Sequence, residues 1–78
     1  MKETAARVVD IRPYRCPMTW VRVKLALEAI APGEILEVLL QGEEPDRNIP
    51  RSAEEEGHAL LGREEGEEGV RIWLRKGC

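Results

Sequence analysis

Aromatic residues are nearly missing from this chain of 78 residues: there is no phenylalanine, and Tyr14, Trp20 and Trp73 are the whole aromatic complement. Surfaces that stack on nucleic-acid bases need such rings, so direct nucleic-acid binding is not expected. Histidine occurs once, at His58, and cysteine twice, at Cys16 and Cys78, 62 positions apart. That spacing matches no zinc or C-x-x-C pattern, so neither a metal site nor a cofactor is expected. No apolar run approaches the ~20 residues of a membrane span, and no signal-peptide pattern opens the chain. The expectation is a cytoplasmic protein without membrane contact, in a reducing compartment where free thiols persist.

Charge is plentiful but unevenly spread. Charged residues make up 35% of the chain and the net charge is −3. Residues 1–40 carry six basic and five acidic side chains, and residues 41–78 carry six basic and ten acidic ones. An acidic second half again disfavours nucleic acid, which needs a basic stripe. The runs Glu54-Glu55-Glu56 and Glu64-Glu65-Gly66-Glu67-Glu68 are expected as solvated faces and a hairpin tip. Against this background, Ile11 to Leu27 holds no acidic residue but four basic ones, Arg12, Arg15, Arg22 and Lys24.

At this length the chain makes one small domain, residues 1–78, with 76–78 as a short tail. Ala5 to Asp10 carries Val8 and Val9 and predicts a strand. Pro17 to Ile30 predicts a helix, stopped by Pro32-Gly33. Ile35 to Leu40 predicts a buried strand. This succession makes a right-handed crossover between parallel strands. Gln41 to Asp46 is expected as a loop, after which Asn48 caps a second short helix with Pro50 near its start. That helix ends near Glu56, with Gly57 as a left-handed cap. His58 to Arg63 and Val70 to Arg75 complete a hairpin whose turn is marked by Gly66 and Gly69. The expected fold is α+β: a two-layer α/β sandwich of order βαβαββ, its mixed four-stranded sheet carrying both helices on one face.

The first helix has two apolar faces. At 100° per residue, Trp20, Val23, Ala26, Leu27 and Ile30 share one arc, the expected core face. Met18, Val21, Leu25 and Ala29 fall on roughly the opposite side. The second stripe is either covered by the second helix or a loop, or it is a surface for docking a partner or a second copy of the chain.

Cys16-Pro17 stands where the first connector becomes the first helix. A thiol at a helix start faces unpaired N–H groups and the positive end of the helix dipole, both of which favour the thiolate. Pro17 suits the first helical position as a structural cap. Cys16 is the candidate nucleophile. Arg12 and Arg15 are candidate anion support or partner contacts, or plain solvated side chains. Asp10 is expected to brace the connector, and His58 to be structural. Cys78 is a possible second, resolving thiol, or a terminal cysteine without a role.

The residues Asp10-x-Arg12-x-x-x-Cys16-Pro17, then Pro32-Gly33-Glu34, the apolar strand, Ile49-Pro50 and Gly57-His58 resemble the TusA/SirA-type family of small sulfur-carrier proteins, from about residue 6 to 75. The resemblance implies the same βαβαββ sandwich and a sulfur relay. It implies that Cys16 accepts sulfane sulfur as a persulfide from a donor protein, a cysteine desulfurase or a rhodanese-like protein. A downstream acceptor protein then takes that sulfur, in tRNA thiolation, cofactor assembly or sulfur metabolism. Such a protein is a covalent shuttle rather than a turnover enzyme; the second apolar stripe fits a monomer that docks a partner or a weak homodimer. The chain departs from the family's frequent Cys-Pro-x-Pro pattern at Thr19. Pro13 and Tyr14 also replace a common Gly-Leu pair. The alternative is a non-catalytic regulatory or protein-interaction module on the same fold.

Overall fold

Alternation within Ile-Leu-Glu-Val-Leu-Leu divides the third apolar segment between two sides of a sheet. Leu36, Val38 and Leu40 are fully buried in the core, while Glu37 and Leu39 point to the other face and are half-buried. The computed structural model describes residues 5–15 and 18–77. It contains β1 (Arg7–Asp10), α1 (Met18–Glu28), β2 (Ile35–Leu40), α2 (Glu43–Glu55), β3 (Ala59–Gly66) and β4 (Gly69–Arg75). The sheet order is β1-β2-β4-β3. β1 and β2 are parallel, and β4 runs antiparallel to both of its neighbours. The two helices pack against each other and against the sheet, on one face. The expected α+β sandwich of order βαβαββ is therefore the observed one.

Between the layers lie Val23, Ala26, Leu27 and Ile30 from α1 and its C-terminal end, Ile49 and Ala53 from α2, and Leu36, Val38, Leu40, Val70, Ile72 and Leu74 from the sheet. Trp20 was expected among them but packs only at the margin. Thr19 is buried in its place, with 2% of its surface exposed. The outer face of the sheet is centred on Trp73, which is buried opposite Gly62 of β3. A side-chain carbon at Gly62 would lie 3.7 Å from the indole ring. Glu37 joins the two neighbours across β2 and β4: it accepts from Trp73 Nε1 at 3.3 Å and pairs with Arg71 Nε at 3.0 Å.

The second helix starts earlier than the sequence predicts. It begins at Glu43 with Gly42 as its N-cap, so Asn48 does not cap it and Pro50 lies inside it. Glu43, Glu44 and Asp46 crowd the first turn, where acidic side chains complement the positive end of the dipole. Pro45 also fits there, because first-turn N–H groups have no helical partner anyway. Pro50 forgoes one interior hydrogen bond, at a cost of about 3 kcal/mol. Full burial of its neighbour Ile49 returns roughly 1.5–3 kcal/mol. The end of α2 matches expectation. Gly57 has φ of 93°, its N–H reaches the Glu54 carbonyl at 3.1 Å, and the His58 N–H reaches the Ala53 carbonyl at 2.9 Å. This is a Schellman cap.

β3 and β4 are joined by Glu67-Glu68 between the paired Gly66 and Gly69. Gly69 has φ of 130°, and a side-chain carbon there would lie 2.5 Å from the Leu40 carbonyl oxygen. β3 runs to Gly66, three residues beyond the expected Arg63, and bulges between Leu60 and Gly62.

Candidate functional site at the helix starts

Parallel pairing of β1 and β2 brings their C-terminal ends to the same edge of the domain. Two connectors leave from there: residues 11–15 lead to α1, and Gln41-Gly42 lead to α2. The β3–β4 turn joins them, because β4 starts opposite the end of β2. Between the connectors lies a crevice of about 650 Å³. Arg12, Pro13, Tyr14 and Arg15 line it with Thr19 of α1 and with Gln41, Glu44 and Pro45.

The connector is held along its length. Ile11 is buried and its N–H donates to the Leu39 carbonyl at 2.8 Å, extending the β1–β2 ladder by one residue. The Tyr14 N–H donates to the Ile11 carbonyl at 3.1 Å, forming a turn. The Tyr14 ring carries the Arg22 guanidinium, whose central carbon is 4.5 Å from the ring centroid. The connector is thereby tied to α1 by a cation–π contact.

Arg12 makes the densest set of contacts. Its backbone N–H and its Nε donate to Asp10 Oδ1 at 3.0 and 2.9 Å, and Nη2 donates to Oδ2 at 2.8 Å. Its Nη1 donates to the Glu68 carbonyl at 3.2 Å. Asp10 therefore braces the connector as expected. The hydrogen bonds and charge of Arg12 hold the Asp10 carboxyl below its usual range, against a smaller opposing effect of burial. In turn Asp10 raises the guanidinium.

The first turn of α1 is built on the Arg15 carbonyl, which accepts from the Met18 N–H at 2.7 Å and the Thr19 N–H at 3.3 Å. A proline at position 19 would lose the second of these bonds. Arg15 itself is exposed and forms no ion pair among the described residues. Cys16 and Pro17, the proposed nucleophile and cap, lie outside the described residues, as does Cys78. Met18, Val21 and Leu25 are 44%, 39% and 57% exposed. The alternative in which α2 or a loop covers this stripe therefore does not hold.

His58 is structural, as expected: its Nδ1 accepts from the Gly77 N–H at 2.9 Å. That contact lies at the opposite pole from the crevice, beside the end of α1. Gln41, Glu44 and the Glu68 carbonyl were not anticipated at the site. Gln41 carries a weak signal, as the chain's sole glutamine directly after a buried strand, but its contact with the first connector depends on strand pairing. Among the described residues, no helix is long and apolar enough to cross a membrane. No group of three or more potential metal ligands occurs among them either.

A two-layer α+β domain, with a basic connector entering the first helix beside a polar crevice, is the class these features define. The chain belongs to the TusA sulfurtransferase family, whose sequence pattern matches residues 7–76. It is 44% identical over 73 residues to a protein of Archaeoglobus fulgidus named "Putative sulfur carrier protein", covering 92% of this chain and 83% of that one. A protein of the same name from Thermotoga maritima is 36% identical over 64 residues, covering 82% and 81%. The crystal structure of a SirA-like protein from Desulfitobacterium hafniense superposes with a TM-score of 0.77 at 23% identity, covering 92% of this chain and 99% of that one. That likeness shows the shared fold.

Proposed function

We infer that this protein is a sulfur carrier and that Cys16 carries the sulfur. The observation that supports this best is the family match itself: its span, residues 7–76, includes the connector and helix start where Cys16 stands. In the proposed step the Cys16 thiolate attacks the outer sulfur of a donor protein's persulfide. The donor's S–S bond breaks, the donor cysteine leaves as a thiolate, and Cys16 holds the sulfur as a persulfide, which becomes an anion by losing its proton to solvent. No net oxidation occurs and no cofactor is needed. A second exchange passes the sulfur to an acceptor protein.

The first-turn N–H groups of α1 supply fixed positive partial charge for the anion, with Pro17 as the cap. Arg15 adds positive charge to the same pole, whereas the charge of Arg12 is paired with Asp10. The donor is a cysteine desulfurase or a rhodanese-like protein, and Met18, Val21 and Leu25 form the docking face. Acceptors in tRNA thiolation, cofactor assembly or sulfur metabolism all fit this chemistry, without direct nucleic-acid contact. A cytoplasmic monomer or weak homodimer completes the proposal. The exposed stripe also favours a second reading, an interaction module that does not use the thiol.

One experiment separates the two. Incubation with a desulfurase and cysteine, or with a rhodanese and thiosulfate, is followed by intact mass. A gain of one sulfur atom that Cys16→Ser abolishes supports the carrier. No gain with either donor, or unchanged partner binding and phenotype in Cys16→Ser, supports the module.

A further inference from the structure

Three chain segments at the crevice pole are joined through one residue. The Arg12 guanidinium is gripped by both oxygens of Asp10 at the end of β1, and its Nη1 donates to the Glu68 carbonyl in the β3–β4 turn. The Arg12 carbonyl accepts from Gln41 Nε2 at 3.2 Å, which brings in the β2–α2 connector. Five hydrogen bonds thus converge on a residue four positions before Cys16.

We propose that Asp10, Arg12 and Gln41 are positioning residues for sulfur transfer, holding the connector in the geometry that presents Cys16 to a partner's persulfide. This rests on the sulfur-carrier assignment and deepens it. Arg12 acts here through its shape. Its charge is matched by Asp10 at 2.8 Å, so it is not a free cation for the sulfur anion. Arg15, with no ion pair among the described residues, is the cation left for that task. The planar fork of arginine meets both carboxylate oxygens and the Glu68 carbonyl at once, which a lysine ammonium cannot do.

Shape and charge predict opposite signs in one variant. Asp10→Asn removes a negative charge from the pole and frees Arg12. Were Arg12 an electrostatic support, sulfur uptake would hold or rise. With the clamp, uptake falls although the pole has become more positive.

The test uses the full chain with a desulfurase and cysteine, following sulfur loading by quenched intact mass. Thermal unfolding and the pH dependence of Cys16 alkylation by iodoacetamide are recorded alongside. Asp10→Asn, Arg12→Ala and Arg12→Lys are each expected to load about 10- to 100-fold more slowly, as misplaced reacting groups do. Gln41→Ala should show a smaller loss. Alkylation of Arg12→Ala should keep the wild-type pH midpoint, and its unfolding temperature should fall far less than its loading rate, since the Arg12 and Asp10 side chains stay 30% and 43% exposed. Wild-type loading rates in Arg12→Lys or Asp10→Asn would overturn the clamp, as would a raised alkylation midpoint in Arg12→Ala. So would losses of rate that merely follow losses of thermal stability. Wild-type protein that takes up no sulfur overturns the carrier assignment instead, a result distinct from loading that ignores the clamp variants.

Discussion

The Lys76 ammonium donates to the Ile30 carbonyl at 2.6 Å, placing a positive charge just beyond the end of α1. That helix has no basic residue in its own last turn, so the far end of the chain supplies the complement to its dipole. The backbone of Lys76 is fixed at the same place, accepting from the Gly33 N–H and donating to the Glu34 carbonyl, both at 2.9 Å. Lys76→Met keeps the aliphatic stem and removes the charge. It should cost about 1 kcal/mol, a drop of roughly 4–8 °C in unfolding temperature for a domain of this size. Calorimetry checks this, and an unchanged unfolding temperature would show that the contact contributes nothing.

Leu25 and Leu27 lie two residues apart on α1 and should behave as opposites. Leu27 is 2% exposed in the core and Leu25 is 57% exposed on the outer stripe. Leu27→Ala removes packed methyl groups and should cost about 2–5 kcal/mol. Leu25→Glu should change stability by no more than about 0.5 kcal/mol, yet weaken binding to a sulfur donor or self-association. Urea midpoints for both variants, with a binding titration for Leu25→Glu, decide the matter. An unfolded Leu25→Glu protein would make the stripe part of the core.

α2 and β3 are linked by Asp46 and Arg63, with Nε to Oδ1 at 2.9 Å and Nη2 to Oδ2 at 2.6 Å. The hydrogen bonds from Arg63 hold the Asp46 carboxyl below its usual value of 3.8. The unfolded chain therefore takes up the proton first as pH falls. The contribution is complete above pH 3.8 and is lost as pH drops through the lower, folded-state value. Asp46→Asn lacks this titration. Its deficit relative to wild type, read from urea midpoints, should be constant near neutrality and shrink below pH 3.8. A deficit that does not vary with pH would rule out the charge as its source.

Where local pattern and tertiary demand agreed, the sequence was informative. β2 occupies the expected span, Gly57 caps α2, and the two apolar faces of α1 are real. α2 starts before its expected span because neither Pro45 nor Pro50 bounds it. Pro45 sits harmlessly in a first turn, and burial of Ile49 and Ala53 carries the helix past Pro50. Thr19 falls within the arc shared by Val23, Ala26 and Ile30 and Trp20 at its edge, so the core takes Thr19 fully and Trp20 only in part. At the site, the bracing role of Asp10 could be anticipated from its place at the strand end. Its pairing with Arg12 had a signal too, since alternate residues of an extended chain share a side. The contacts of Arg12 with Glu68 and Gln41 join residues 56 and 29 positions apart, and only the strand order creates them.

Strand order also bears on the two thiols. α1 spans 11 residues, about 16 Å at 1.5 Å per residue, and it starts on the Arg15 carbonyl. Gly77 is held beyond the other end of that helix by His58, next to the ties of Lys76 to Ile30, Gly33 and Glu34. One further residue adds at most about 3.8 Å, whereas a disulfide needs α-carbons within about 7 Å. Cys16 and Cys78 should therefore not pair within one molecule while the strap is in place. Mild oxidation with diamide should yield disulfide-linked dimers or adducts with added glutathione, read by non-reducing intact mass. A monomer lighter by two hydrogens would mean that the strap releases, and it would restore Cys78 as a resolving thiol. Under the proposed relay, Cys16 would then have no resolving thiol in its own molecule, and its sulfur would leave by attack from a partner.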